Sequence, residues 1–223
     1  MKFSKTCTAI FAGVLAIFCA GFFMENATHP VPGLSPYYIA AGQWEERVFL
    51  QNQNSSASDE FLSGDEVRDQ IVKVLANYKT GLGRGFRDTI PAVIIHESKK
   101  YGYDPLFLTA VIITESSFNN WARSRQGALG LMQILPKTAI AMARETSREW
   151  NGNPTLYDPG ANIALGAYYL DKLVKRFGDL HLALEAYNHG PTKLARYLRK
   201  GYRPEGYSRK VIHRYEMIRA QSI

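Results

Sequence analysis

Thiols are nearly missing from this chain of 223 residues: its two cysteines, Cys7 and Cys19, both lie in the N-terminal apolar stretch. Everything after residue 19 is therefore without a disulfide, which excludes a disulfide-stapled scaffold and leaves folding to an apolar core. Cysteine and histidine spacings of the zinc-binding kind are also missing, as is a glycine-rich phosphate loop. No segment shows the period-two alternation of a half-buried strand. Acidic charge is the minority: 27 Lys and Arg against 20 Asp and Glu leave a formal net charge of +7. Such an excess favours an anionic partner and says nothing of the fold. With 46% hydrophobic and 21% charged residues, the composition is that of a globular protein of one or two domains.

The start of the chain reads as an export segment. Lys2 and Lys5 precede a nearly unbroken apolar run from Ala9 to Met24, and Cys19-Ala20-Gly21 offers small residues for cleavage. Residues 1–24 are thus expected to be a signal peptide or a retained membrane anchor. Between residues 25 and 64 the composition shifts to Pro, Gly, Asn, Ser and Gln. Pro30, Pro32, Gly33 and Pro36 interrupt regular structure, and a linker or stalk is expected there.

From Asp65 to the end the pattern is helical. Val67, Ile71, Val74, Leu75 and Tyr78 recur every three or four residues, and a second helix is predicted over Thr89–Tyr101. Asp104-Pro105 supplies a cap and a first-turn proline for a helix to Ser116. Further helices are predicted from Pro136, over Ala161–Phe177, over Leu182–Asn188, from Pro191 to Gly201, and over Tyr207–Ala220. The predicted fold class is all-α, one domain over 65–223, with short helices and functional loops.

One carboxyl group stands out. Glu115 ends the Pro105–Ser116 run, and Leu108, Val111 and Ile112, at seven, four and three residues before it, share its helix face. Burial against apolar side chains disfavours ionisation, and the negative end of the helix dipole acts in the same sense. Both effects raise the pKa toward the range a general acid needs at neutral pH. A polar, glycine-bearing loop follows.

Four segments in order, Glu115-Ser116-Ser117-Phe118, GALGLMQILP from Gly127 to Pro136, NIALGAYYL from Asn162 to Leu170, and AYNHGP from Ala186 to Pro191, resemble the catalytic domain of soluble-type lytic transglycosylases. The resemblance spans about residues 92–200. It implies a lysozyme-like, goose-type helical fold with a catalytic cleft, no cofactor and no metal. It also implies the activity: non-hydrolytic cleavage of the MurNAc–GlcNAc β-1,4 bond of peptidoglycan, leaving 1,6-anhydro-MurNAc ends. Glu115 is then the catalytic residue. Ser116, Ser124, Gln133, Tyr187, Asn188 and Glu205 become candidate substrate-binding residues: Ser124 for the acetamido group, Gln133 for the cleft wall, Tyr187 beside the catalytic site, and Asn188 ordering its loop. Each has a plainer alternative. Ser124 suits a turn, the amides of Gln133 and Asn188 suit loop backbone groups, and Tyr187 suits core packing. Met132 and Phe118 read as packing, and His189 as incidental.

Most glycosidases use two carboxylates, yet no Asp or Glu occurs between Glu115 and Glu145. One group suffices when the N-acetyl sugar provides its own nucleophiles, its acetamido oxygen and its C6 hydroxyl. The chain departs from the family near its end, where Pro204-Glu205-Gly206-Tyr207 keeps the proline and glutamate of a supporting motif but not its threonine. Nine Lys and Arg against two acids between Thr192 and Arg219 suit attraction to glycan strands of an anionic wall, or a solvated helix face. Export to the periplasm or envelope, with membrane or envelope assemblies as further partners, completes the expectation, and nucleic acid has no place in it. The rivals are a goose-type-lysozyme-like muramidase that delivers water, and an inactive wall-binding scaffold.

Overall fold

The computed structural model describes residues 63–221. The expected export segment and nearly all of the expected linker lie outside the described residues. Eight α-helices and one 3-10 turn are present among the described residues: α1 (Gly64–Ala76), α2 (Arg84–Lys100), α3 (Pro105–Ser116), α4 (Pro136–Glu145), the 3-10 turn (Asn153–Tyr157), α5 (Pro159–Phe177), α6 (Leu180–His189), α7 (Pro191–Arg199) and α8 (Gly206–Ala220). Extended structure among them is confined to isolated bridges of Leu129 with Arg123 and Ile134.

Local chemistry sets most boundaries. Ser63 and Glu66 form a reciprocal capping box at the start of α1, so the helix begins one residue before Asp65. Asp104 and Asp158 each accept a backbone N–H at 2.7 Å and precede a proline at the first position of α3 and α5. Asp179 caps α6 in the same way, accepting from the Leu182 N–H at 2.7 Å. The second helix differs from expectation by starting five residues earlier, at Arg84. Pro91, of a residue type that favours the first turn, is here buried inside α2.

Helix α3 is the axis of the domain. Leu106 through Ile113 are all buried, so this helix has no solvent face until its last turn, as an apolar circumference demands. The face that Leu108, Val111 and Ile112 share with Glu115 is therefore one side of a helix enclosed on every side. α8, α2 and α1 pack against it, while α5 packs on α2, α4 and α6. Where α5 meets the loop before α4, Gly166 lies against Met132, and an added Cβ would overlap the Met132 Cβ at 2.7 Å as well as its sulfur. Gly166→Ala should lower stability by about 1–3 kcal/mol despite the better helix propensity of alanine. Thermal unfolding checks this, and an unchanged midpoint would refute the close packing.

Candidate active site

Glu115 lies in the last turn of α3, its side chain part-buried at the end of the core. Ser117 closes the helix in the left-handed conformation (φ 50°) with its N–H on the Ile113 carbonyl at 2.9 Å, and Phe118 follows at φ 58°. Two successive non-glycine residues there cost about 1–2 kcal/mol each. The fully buried Phe118 ring, packed 5.7 Å from Tyr78, holds them. This turn stops the helix immediately after the acid and sends the chain into the loop.

Burial pushes the Glu115 carboxyl up to about 7, while a hydrogen bond from the Tyr207 phenol to Oε1 draws it back. No cation is paired with Glu115 among the described residues. The Tyr187 and Tyr207 phenols are both raised well above their ordinary value, first by burial and then by the charge of Glu115, so both stay protonated donors. Half-protonated near neutrality and framed by phenols, Glu115 can give a proton and later take one back.

The glycine loop is stapled from α5 and α6. Asn162, fully buried, accepts the Met132 N–H at 2.7 Å and donates to the Leu129 and Leu156 carbonyls at 3.1 and 2.9 Å. Gly130, at φ 79°, passes so close that a Cβ would collide with the Leu156 carbonyl and the Asn162 amide. The Tyr187 hydroxyl donates to the Met132 carbonyl at 2.8 Å. Gln133, itself at φ 48°, uses its amide nitrogen on the carbonyls of Ala122 and Gly130 at 3.0 and 2.8 Å. Ser124 accepts the Ala128 N–H at 3.0 Å, and the Ser116 hydroxyl donates to the Ile112 carbonyl at 3.2 Å. The hydrogen bonds of Ser124, Gln133 and Tyr187 thus shape the loop that follows Glu115.

Two predicted residues are exposed. Asn188 lies in the last turn of α6, exposed and without a side-chain hydrogen bond. The Gly190 N–H closes that helix on the Ala186 carbonyl at 2.8 Å instead, so Asn188 does not order a loop. Glu205 is exposed and paired with Arg209 at 2.9 Å, and no contact joins it to Glu115. A helical i,i+4 geometry turns it along the surface of α8. Sequence reasoning passed over Tyr207, Asn162 and Glu185. Tyr207 looked like an ordinary helix start, and Asn162 and Glu185 are polar residues within helical runs whose burial only packing reveals.

Beside the loop, an open pocket of about 300 Å³ is lined by Arg123, Gln126, Asn153 and Tyr157 among others. Trp121 is 60% exposed yet fixed, its indole N–H on the Gly81 carbonyl at 3.0 Å and its ring 5.0 Å from that of Tyr157.

The sequence profile described as "Transglycosylase SLT domain" matches residues 92–209, just over half of the chain. The chain belongs to this family. Among curated relatives, this chain is 36% identical over 121 residues to the "Transglycosylase" of Enterobacteria phage PRD1, covering 54% of this chain and 41% of that protein. It is 37% identical over 110 residues to "Membrane-bound lytic murein transglycosylase C" of Shigella sonnei (strain Ss046), covering 44% of this chain and 30% of that protein. The matched stretch is thus less than half the length of either relative. Among solved structures, the 70 kDa soluble lytic transglycosylase SLT70 of Escherichia coli aligns with a TM-score of 0.54 at 20% identity, covering 92% of this chain and 40% of that one. That likeness is one of fold, and it bears out the all-helical, lysozyme-like expectation for this SLT domain.

Proposed function

We propose that this protein is a peptidoglycan lytic transglycosylase in which Glu115 acts alone as acid and then base. The observation that carries the reading is a carboxyl group pushed up to about 7 by burial, with no cation paired to it among the described residues. Glu145 is tied to Lys172 and Tyr168, and Glu185 is fully buried on backbone amides. Neither can serve as the second carboxylate of a two-carboxylate mechanism.

In the reaction, Glu115 protonates the glycosidic oxygen as the C1–O bond of MurNAc breaks. The acetamido oxygen of the same sugar bonds to C1, giving an oxazolinium-like intermediate and releasing the 4-hydroxyl of GlcNAc. The Glu115 carboxylate then removes the proton from the C6 hydroxyl. O6 attacks C1, the acetamido oxygen leaves, and the anhydro ring closes with Glu115 protonated again. No water is consumed. The rigid, exposed Trp121 ring beside polar Arg123, Gln126 and Asn153 suits the mixed apolar and polar faces of a sugar.

The excess of cations between Thr192 and Arg219 supports binding to an anionic wall. Only Arg203 and Arg209 among them are paired with carboxylates, Asp179 and Glu205. No helix among the described residues is long and apolar enough to cross a membrane. Attachment to the envelope is assigned to the apolar stretch of residues 1–24, in keeping with the membrane-bound relative.

Mass spectrometry of digested peptidoglycan tests the reading. Anhydro-muramoyl ends are the expected product. Reducing ends would establish the hydrolytic muramidase instead, and an unaltered polymer would point to the wall-binding scaffold.

A further inference from the structure

Glu185 is unused by the chemistry above, yet it is one of the most completely enclosed ionisable groups, with no exposed surface. It sits on α6 two residues before Tyr187. Its Oε1 accepts the N–H groups of Tyr207 and Ser208 at 2.9 and 2.8 Å, the second and third residues of α8. Those amides are orphan donors that a helix normally satisfies with its own N-cap side chain. Here the N-cap residue is Glu205, which makes no such bond and reaches Arg209 instead. The cap of α8 therefore comes from another helix, 22 residues upstream of Tyr207. A buried carboxyl group is costly unless donors meet it, and the positive end of the α8 dipole adds to those two bonds.

We infer that Glu185 is a positioning residue for the acid, fixing the first turn of α8 so that the Tyr207 phenol is held on Glu115. Tyr207 is the shared member: its backbone N–H is on Glu185 and its hydroxyl is on Glu115. The chain Glu185–Tyr207–Glu115 joins α6, α8 and α3, three helices in mutual or shared contact. The groups facing Glu185 are His189 on its own helix, with Nε2 3.4 Å from Oε2, and Tyr207 and Ser208 of α8. Those facing Glu115 are Tyr207 of α8 and Tyr187 of α6. Oε2 of Glu185 completes no hydrogen bond, so its second oxygen leaves the amide pair on Oε1 undisturbed. Spacing alone could not disclose this link, because the two carboxyl groups never touch.

The inference rests on Glu115 being the acid, so its test reads the carboxyl directly. The Glu115 side chain is titrated by 13C NMR without substrate, its signal assigned by its loss in Glu115→Gln. Tyr207→Phe removes the phenol donor, which favours the ionised form, and should move the titration to higher pH by about one unit, tenfold in the ionisation constant. Glu185→Ala should produce the same upward shift, and adding Tyr207→Phe to it should produce none further. Glu185→Gln retains an oxygen acceptor for both amides and should titrate like the parent. If Glu185→Ala does not fold, Glu185→Asp, whose oxygens are withdrawn by one methylene, should shift in the same direction. An unshifted titration in folded Glu185→Ala or Glu185→Asp overturns the inference, as does a double variant in which the two shifts add. A merely structural cap would lower the melting point and leave the titration where it is. Activity separates the two readings: a Glu115→Gln protein that still cleaves would sink Glu115 as acid while leaving the NMR result standing.

Discussion

Glu115→Gln is expected to reduce peptidoglycan cleavage by about 10³-fold or more, because in the proposed mechanism one side chain supplies both the proton and the base. The amide has nearly the same shape and can still accept from Tyr207, so helix α3 and the turn at Ser117 and Phe118 should be undisturbed. Glycan binding should persist within a few-fold. A variant that cleaves at the parental rate would remove Glu115 from the mechanism. In the parent, the acid form must be present at the first step, so kcat/KM should fall as pH rises through about 7, the value to which burial pushes this carboxyl.

The same substitution has a stability signature of definite sign. The folded-state pKa of Glu115 lies above its ordinary value of 4.5, at about 7. The folded protein therefore holds this proton in a range where the unfolded chain has lost it. Stability from that proton is fully present below pH 4.5 and is lost as pH rises through about 7. Above pH 7 the ionised group costs roughly 3 kcal/mol at most. Glu115→Gln should therefore match the parent in melting temperature near pH 4 and exceed it near pH 8. A variant equally or less stable than the parent at pH 8 would show that the carboxyl is better solvated than its surroundings indicate.

Asn162→Ala is expected to cost about 3–5 kcal/mol and lower the melting point by roughly 10 °C. Two backbone groups lose their partner at once, the Met132 N–H and the Leu156 carbonyl, and the Leu129 carbonyl keeps only the Ile134 N–H at 3.1 Å. Each is enclosed by the core, and an unmet buried group costs about 1–3 kcal/mol. Activity should fall more than tenfold, although Asn162 is fully buried and touches no substrate. The loop it holds carries Gln133 and Met132, and the Met132 carbonyl anchors the Tyr187 hydroxyl. Calorimetry together with an activity assay checks both effects. A loss of stability under about 1 kcal/mol would mean that the loop is held without Asn162, by the bonds of Tyr187, Gln133 and Ser124.

How much of this was legible in residues depends on the range of the interaction. The span of α3 came from Asp104, Pro105 and an apolar run, all local, and it matches the structure at both ends. The early start of α2, five residues before Thr89, did not match. Gln133 and Ser124 were legible as loop residues, and their bonds to loop carbonyls and amides are the short-range kind such side chains favour. Glu205 and Asn188 were drawn in by their place in sequence motifs, and in the fold both side chains are exposed.

The amino-acid order alone determined the helical class, the placing of Glu115 at the end of an apolar helix, and the lack of a nearby partner carboxylate, since periodicity, caps and spacing act within a few residues. Tertiary packing alone decided what surrounds that carboxyl. Tyr207 lies 92 residues from Glu115, and the Asn162 bonds to Met132 and Leu129 span 30 and 33 residues. Burial and hydrogen bonding at such separations belong to no window of sequence. They arise when α3, α6 and α8 close on one another, and that closure raises the pKa of a helix-ending glutamate.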